Sequence, residues 1–320
     1  MKRISAVVVA LLMAATGLNA QIFCWNLENY FDAYDDPATA DEEFTPRGEH
    51  HWTRRKYEAK RNLIAKTIIA SAERLGGDLP AIIGLCEVEN GRVLKSLLED
   101  TPLAKVRYRS VHRESPDPRG IDVALAYDPS RVRLLREEFI TISEFATREI
   151  LYAKVAINGA VTRQDKDTTD TLHIFVNHWP SKYSGAAVSE QKRQAVAGAL
   201  LHTLDSIQAA EPAAAIILMG DFNDTPESPS VKTLCEQAGL VNLSPKEGGT
   251  IKFKGKWETI DLLLASPAAA AKIAPAEVFS PDFLLEEDKT FLGVKPRRTN
   301  VGPRYNGGAS DHLPIIADIF

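Results

Sequence analysis

Short runs of Ile, Val and Leu recur from one end of the chain to the other, at residues 22–25, 81–86, 121–126, 172–176, 216–219, 260–265 and 314–319. At roughly four to six residues each they have the length of strands, and their continuous apolar character suits strands covered on both faces. Helical patterns lie between them. Tyr57, Ile64, Ile68 and Leu75 recur at helical spacing across residues 54–75 with charges on the other face, and residues 188–206 have a similar amphipathic pattern ending near Ile207. This alternation predicts an α/β protein whose sheets carry helices on their outer faces.

The edges of those runs hold residues that hydrophobic packing would not select. Asn26 closes the first run, Glu87 the second and His178 the fourth, Asp221 and Asn223 follow the fifth, Asp261 sits inside the sixth, and Asp311 and His312 precede the last. Buried carboxylates are rare unless paired or bound to metal. In sheets of this kind ligands gather where strands end, so residues distant in sequence can converge on one edge. A set rich in carboxylate and amide oxygens suits Mg2+, with Mn2+ as the alternative; zinc would call for more His or Cys. Glu87 is the first candidate ligand.

The first residues place Lys2 and Arg3 before an apolar stretch at 4–15 and a small-residue ending at Leu18, Asn19 and Ala20, the layout of a secretory signal peptide over residues 1–20. The stretch is shorter than the roughly 20 residues that span a bilayer, so no permanent membrane anchor is expected. The remaining 21–320 is expected to form one domain, exported to a periplasm or beyond the cell. Loss of Lys2 and Arg3 would take the net charge from −5 to −7. That acidity excludes a protein that holds nucleic acid by bulk electrostatics, but not a nuclease that touches its substrate locally. Cys24, Cys86 and Cys235 have no metal-ligand spacing and read as small buried hydrophobes.

Residues 32–49 and 280–308 read as long surface loops. His50, His51 and Trp52 read as a loop-to-helix junction, Trp179 and Tyr183 as packing aromatics, and Lys182 and Arg193 as parts of a solvated helix face. No protein partner is indicated, and the chain reads as a monomer.

Seven segments then resemble, in order, those of the endonuclease/exonuclease/phosphatase superfamily. They are Trp25-Asn26-Leu27-Glu28-Asn29, Gly84-Leu85-Cys86-Glu87-Val88-Glu89-Asn90, Arg119-Gly120-Ile121-Asp122-Val123-Ala124-Leu125, Asn177-His178-Trp179-Pro180-Ser181-Lys182, Gly220-Asp221-Phe222-Asn223-Asp224, Trp257-Glu258-Thr259-Ile260-Asp261 and Ser310-Asp311-His312. The chain is similar to pancreatic-type deoxyribonucleases and apurinic endonucleases, and more closely to exported bacterial nucleases of that group. The resemblance implies a four-layered α/β/β/α sandwich of two packed mixed sheets with the site at the top of both. It implies Glu87 as principal metal ligand, with Asn26 helping to hold the metal or its water and Asp311 as a further metal or imidazole partner. Asp221 would orient or deprotonate the attacking water, steadied by Asn223; His178 and His312 would face the phosphate, with Asp261 orienting His312; Arg119 and Asn223 would contact substrate. The residues leave open which imidazole, if either, is a general base. Leu262 departs from the pattern, standing where many members have His.

The implied activity is an exported, metal-dependent phosphodiester hydrolase, an endonuclease acting on DNA. The alternative is hydrolysis of small-molecule or lipid head-group phosphate esters, since fold alone does not decide substrate. An inactive binding module would lack Glu87, Asp221 or His312, and all three are present.

Overall fold

The structure is a computed structural model that describes residues 20–142, 149–157, 171–182 and 185–320. The leader, apart from Ala20, and Tyr183 lie outside the described residues. The chain runs β1 (Ala20–Tyr30), α1 (Arg54–Ser71), β2 (Ile82–Val88), α2 (Gly91–Glu99), β3 (Arg109–His112), β4 (Asp122–Tyr127), β5 (Val132–Thr141) and β6 (Glu149–Ile157). It continues through β7 (Thr171–His178), α3 (Ala186–Ala210), β8 (Ile216–Asp221), α4 (Pro229–Ala238), β9 (Val241–Asn242), β10 (Ile251–Phe253), β11 (Lys256–Glu258) and β12 (Asp261–Ala265). After α5 (Pro267–Ala270) come β13 (Glu277–Val278), β14 (Leu285–Glu287), β15 (Val294–Pro296), β16 (Asn300–Val301), β17 (Arg304–Tyr305) and β18 (Ile315–Ile319).

Two six-stranded sheets result, ordered β13-β18-β1-β2-β4-β3 and β5-β6-β7-β8-β12-β9. Both are mixed: β1 runs parallel to β2 and β7 to β8, while β18 pairs antiparallel with β1 and β12 with β8.

Side-chain alternation along the strands builds the layers. Ile22 and Cys24 of β1 enter the core between the sheets with Ile217 and Met219 of β8 and Leu263 of β12. Their neighbours Phe23, Trp25 and Leu27 point outward into a second core with Ile64 and Ile68 of α1 and Leu94 and Leu97 of α2. On the other side Leu218, Leu262 and Leu264 meet Val196, Leu200 and Leu204 of α3 and Leu234 of α4. The result is the expected α/β/β/α order. Leu262 is fully buried in that third core, which accounts for an apolar residue at its position.

Three sequence readings need correction. Residues 280–308 are not simply a loop; they fold into the hairpins β14–β15 and β16–β17. Arg193 is not on a solvated face: it is 3% exposed, with Nε donating to Asp224 Oδ2 at 2.8 Å and Nη2 to Glu190 at 2.9 Å. It was misread because a helix facing charged partners carries a charged residue on its buried side. Cys235 is only half-buried, whereas Cys24 and Cys86 are buried. Trp179 does pack, its ring 4.7 Å from that of Phe222, and Trp52 is buried just ahead of α1. Among the described residues no helix is long and apolar enough to cross a membrane.

Candidate active site

The alternation that builds the inner core also places the polar residues. Asn26 continues the inward series of Ile22 and Cys24, His178 that of Ile174 and Val176, Asp221 that of Ile217 and Met219, and Asp261 that of Leu263 and Ala265. Because β1 breaks its pairing at Asn26, β7 and β8 end at His178 and Asp221, and antiparallel β12 begins at Asp261, all four side chains meet at one edge between the sheets. Asp261 pairs directly with Asp221, and Asp221 with His178, in strand register.

Glu87 reaches the same point by a different route. Regular alternation would send it outward, since Cys86 already faces the inner core. Pairing of β1 with β2 stops at Asn26 and Cys86 and resumes only at Tyr30 and Val88, and β2 slips against β4 at the same level. Within this bulge Glu28, Asn29 and Glu87 all take positive φ, at 47°, 55° and 62°. Bulges re-aim side chains, and a non-glycine residue held there costs about 1–3 kcal/mol. The surroundings hold the shape. Asn29 N–H donates to Glu87 Oε2 at 2.8 Å, Glu28 N–H donates to Asn26 Oδ1 at 2.9 Å, and buried Lys60 donates to the Glu28 carbonyl and, at 2.7 Å, to Thr299 Oγ1. Gly220 serves a related need. A Cβ there would lie 2.0 Å from the Asn177 carbonyl oxygen, so β8 can approach β7 just before Asp221 only with glycine, whose φ is +133°.

The resulting constellation is tight. Asn26 Nδ2 donates to Asp221 Oδ2 at 2.9 Å and to Glu87 Oε1 at 3.2 Å. Asn223 donates its backbone N–H to Asp221 Oδ1 at 2.8 Å and its amide to Asp221 Oδ2 at 3.0 Å. His178 Nε2 stands 3.5 Å from Glu87 Oε1 and 3.7 Å from Asp221 Oδ2. His312 Nε2 is 3.9 Å from Asp221 Oδ2, while its Nδ1 bonds Asp261 Oδ2 at 2.7 Å. The Asp311–His312 segment is pinned to β1 by Ser310 Oγ on the Asn26 carbonyl at 2.6 Å and by Trp25 Nε1 on the His312 carbonyl at 2.9 Å. Asp221, Asp261, Asn26, His178 and His312 are buried, whereas the side chains of Glu87 and Asp311 keep 16% and 24% exposure and form the mouth.

Burial pushes the Asp221 carboxyl up to about 7, with Asp261 adding to the rise and His312 opposing it. Burial would lower His312, but the carboxylates of Asp261 and Asp221 outweigh it and hold the imidazole well above its ordinary value. The chemistry of the donors fits a hard divalent cation: carboxylate and amide oxygens dominate, no thiolate is near the mouth, and Asp221 bears a burial cost that a cation would relieve. Ligand atoms of Asp221, Asp261 and His312 lie within 4.8 Å of one another. Asp261 is fully buried and its Oδ2 already holds His312, whereas Glu87 and Asp311 stand at the open side and Asn26, though buried, touches Glu87.

Arg119 has separate bonding: half-exposed, it holds Asp117 at 3.3 Å. The structure also brings in residues that sequence reasoning passed over. Arg298 bonds Glu28 Oε1 at 2.8 Å and Asp311 Oδ2 at 2.9 Å, and Thr299 N–H donates to Glu28 Oε2 at 2.6 Å. Burial raises Glu28 to about 7 and lowers Lys60 to about 8. Lys60 had a legible signal, since it falls on the helix stripe of Tyr57, Ile64 and Ile68, where a cation needs an internal partner.

A profile of the endonuclease/exonuclease/phosphatase family matches residues 21–319. The chain belongs to that family. Members of the family are phosphoric ester hydrolases, usually dependent on a divalent metal. Protein angel of Drosophila melanogaster is 22% identical over 251 residues, 72% of this chain and 64% of its own length, so the chain spans under two thirds of that relative. The human Nocturnin catalytic domain superposes with a TM-score of 0.56 at 17% identity, covering 95% of each chain. A mannosyl-6-phosphatase of Bacteroides thetaiotaomicron superposes with a TM-score of 0.57 at 15% identity, covering 94% of this chain and 100% of its own. At these identities the family's solved structures speak to fold alone.

Proposed function

We propose that the chain is an exported phosphodiester hydrolase that uses Mg2+, with Mn2+ as substitute, and acts as a monomeric endonuclease on DNA. The observation that carries this reading is that His178 and His312 each bring Nε2 within 4 Å of Asp221 Oδ2, with Asp261 on His312 and the more open Glu87 beside His178. Glu87, Asn26 and Asp311 would hold the cation, which supplies positive charge to the phosphate oxygens as charge develops there.

The protein's own groups do the rest. Asp221, buried at the inner edge and held by its amide partners, accepts a proton from a water directed at phosphorus. The water oxygen forms the new P–O bond, the ester P–O bond breaks, and the proton returns to the departing oxygen. Asn223 and Asn26 fix both Asp221 oxygens, so the base does not rotate. His312, kept protonated by Asp261, and His178 present Nε2 as donors to the non-bridging oxygens. Arg119, on the exposed turn before β4, would contact the strand beyond the scissile bond.

Small phosphate esters are the second reading. The net charge of −5 favours it, as does the likeness in fold to a mannosyl-6-phosphatase. The test is nicking of supercoiled plasmid with Mg2+, with Mn2+ and with chelator, beside Asp221→Ala. Metal-dependent nicking abolished in the variant supports the endonuclease; intact plasmid, with turnover of small esters, replaces it by the second reading.

A further inference from the structure

Against the mouth of the site lies a cavity of about 220 Å³, walled by Glu28 at the end of β1, by Glu43, Phe44 and His50 ahead of α1, and by Arg298 and Asn300 from the hairpin region. It shares its wall with the phosphate site. Asn29, also on the cavity, donates to Glu87, and Arg298 joins Glu28 to Asp311. The Arg298 side chain is 47% exposed, and its Nη1 makes no hydrogen bond to the described residues.

The wall selects among the groups a phosphate ester can carry. The exposed Glu43 carboxylate disfavours a second phosphate by like-charge repulsion, and the Arg298 charge is already met by Glu28 and Asp311. Phe44 cannot serve as a stacking platform for a base, because Phe31 covers it at 4.5 Å and His50 at 4.8 Å. Carboxylate, imidazole, amide and guanidinium together offer both donors and acceptors, the pattern that hydroxyls satisfy. The volume is below the roughly 300–1,000 Å³ of sites for drug-sized ligands, so one ring fits and two do not.

We propose that this cavity binds a single sugar ring ester-linked to the scissile phosphate, with Arg298 and Asn300 determining which hydroxyls are accepted. The inference rests on phosphate-ester hydrolysis at the Asp221 site. A free sugar phosphate presents ring hydroxyls, whereas a deoxyribose within a DNA strand has both its O3′ and O5′ esterified and none free, so the hydroxyl-reading wall favours the free sugar phosphate and the test separates the two.

The experiment measures kcat/KM of the full chain with Mg2+ on three substrates: bis(p-nitrophenyl) phosphate, which has no sugar, a short oligodeoxynucleotide, and a hexose 6-phosphate. The variants are Asn300→Leu and Glu43→Gln; the Glu43 side chain is 52% exposed, so its replacement does not threaten folding. The expected result is a loss on the sugar-bearing substrate about tenfold greater than on bis(p-nitrophenyl) phosphate, the scale of one lost hydrogen bond. A selective loss on the hexose phosphate supports the subsite, and one confined to the oligonucleotide, whose internal sugars carry no free hydroxyl, overturns hydroxyl selection. Equal losses on all substrates in both variants overturn the subsite and leave the hydrolase standing. Failure of the unaltered protein to hydrolyse any of the three overturns the hydrolase reading and the subsite with it.

Discussion

Asp261→Asn removes a charge while keeping the side chain's shape, and so tests whether this carboxylate acts through His312. Asp261 is fully buried and cannot reach a substrate, yet its Oδ2 lies 2.7 Å from His312 Nδ1. A hydrogen bond to a charged group contributes about 1.5–3 kcal/mol. If that stabilisation is realised when the imidazole is protonated, its loss corresponds to about 10- to 100-fold in kcat, with KM nearly constant. The pH profile should shift as well: Asp261 helps hold His312 above its ordinary value, so the limb due to that imidazole should move to lower pH in the variant. The assay is steady-state turnover of bis(p-nitrophenyl) phosphate with Mg2+ by the unaltered chain, Asp261→Asn, His312→Gln and the double variant. A positioning residue has nothing left to position once His312 is gone, so the double variant should match His312→Gln alone. Losses that multiply, or an Asp261→Asn variant at full activity, would refute the reasoning.

Chelation should lower the thermal midpoint: a cation at 100 times its dissociation constant stabilises by about 2.7 kcal/mol, roughly 5 °C for a chain of this size, and differential scanning fluorimetry with and without EDTA reads it. Gly220→Ala should fail to fold, since its Cβ would meet backbone at 2.0 Å, whereas Gly84→Ala meets the flexible Met219 side chain at 2.7 Å and should cost only about 1–3 kcal/mol by urea denaturation. Lys60→Met should destabilise by about 2–4 kcal/mol, because the Glu28 and Asn29 carbonyls lose a buried donor; a smaller change by the same method would mean that water replaces it. Burial lowers His173, so its contribution is full above pH 6.5 and is lost as pH falls through the depressed folded value. His173→Gln should therefore lose less stability than the unaltered chain between pH 7.5 and 5 in thermal melts, and parallel curves would count against this account.

β1, β2, β4, β7, β8, β12 and β18 were legible because they are buried and leave nearly unbroken apolar runs, whereas the equally buried β6 was missed, its run interrupted by Tyr152 and Lys154. β5 was not legible either: Arg133, Arg136, Glu137 and Glu138 are half or fully exposed along an edge strand, and such a segment has no apolar signature. α2 and α4 were missed for want of length. Among the site residues, Asn26, His178, Asp221 and Asp261 were readable because each extends an inward series by two positions. Glu87 was singled out by its place at the end of the second apolar run and by its resemblance segment, but strand alternation would have sent it outward, and only the bulge turns it inward. Arg298 had no local signal at all. Its partner Glu28 lies at the other end of the chain, and only the closing of β18 on β1 brings it to Arg298 and the nearby Asp311.

The floor beneath the site explains why an ordinary set of carboxylates behaves unusually. Cys24 lies directly below Asn26 in the inward series of β1 and Cys86 stands beside Asn26 on β2, both fully buried, and Cys86 Sγ contacts the Asn177 carbonyl at 3.2 Å. Burial pushes both thiols well above their ordinary values, and the Asp261 and Asp221 charges add to it, so they remain neutral. A Ser at either position would offer a hydroxyl to the carboxylates and stabilise their charge, and a Lys or His would do so more strongly. Neutral sulfur offers no strong donor. Asp221 is thus left to its own amide partners and to burial, which pushes its carboxyl up to about 7.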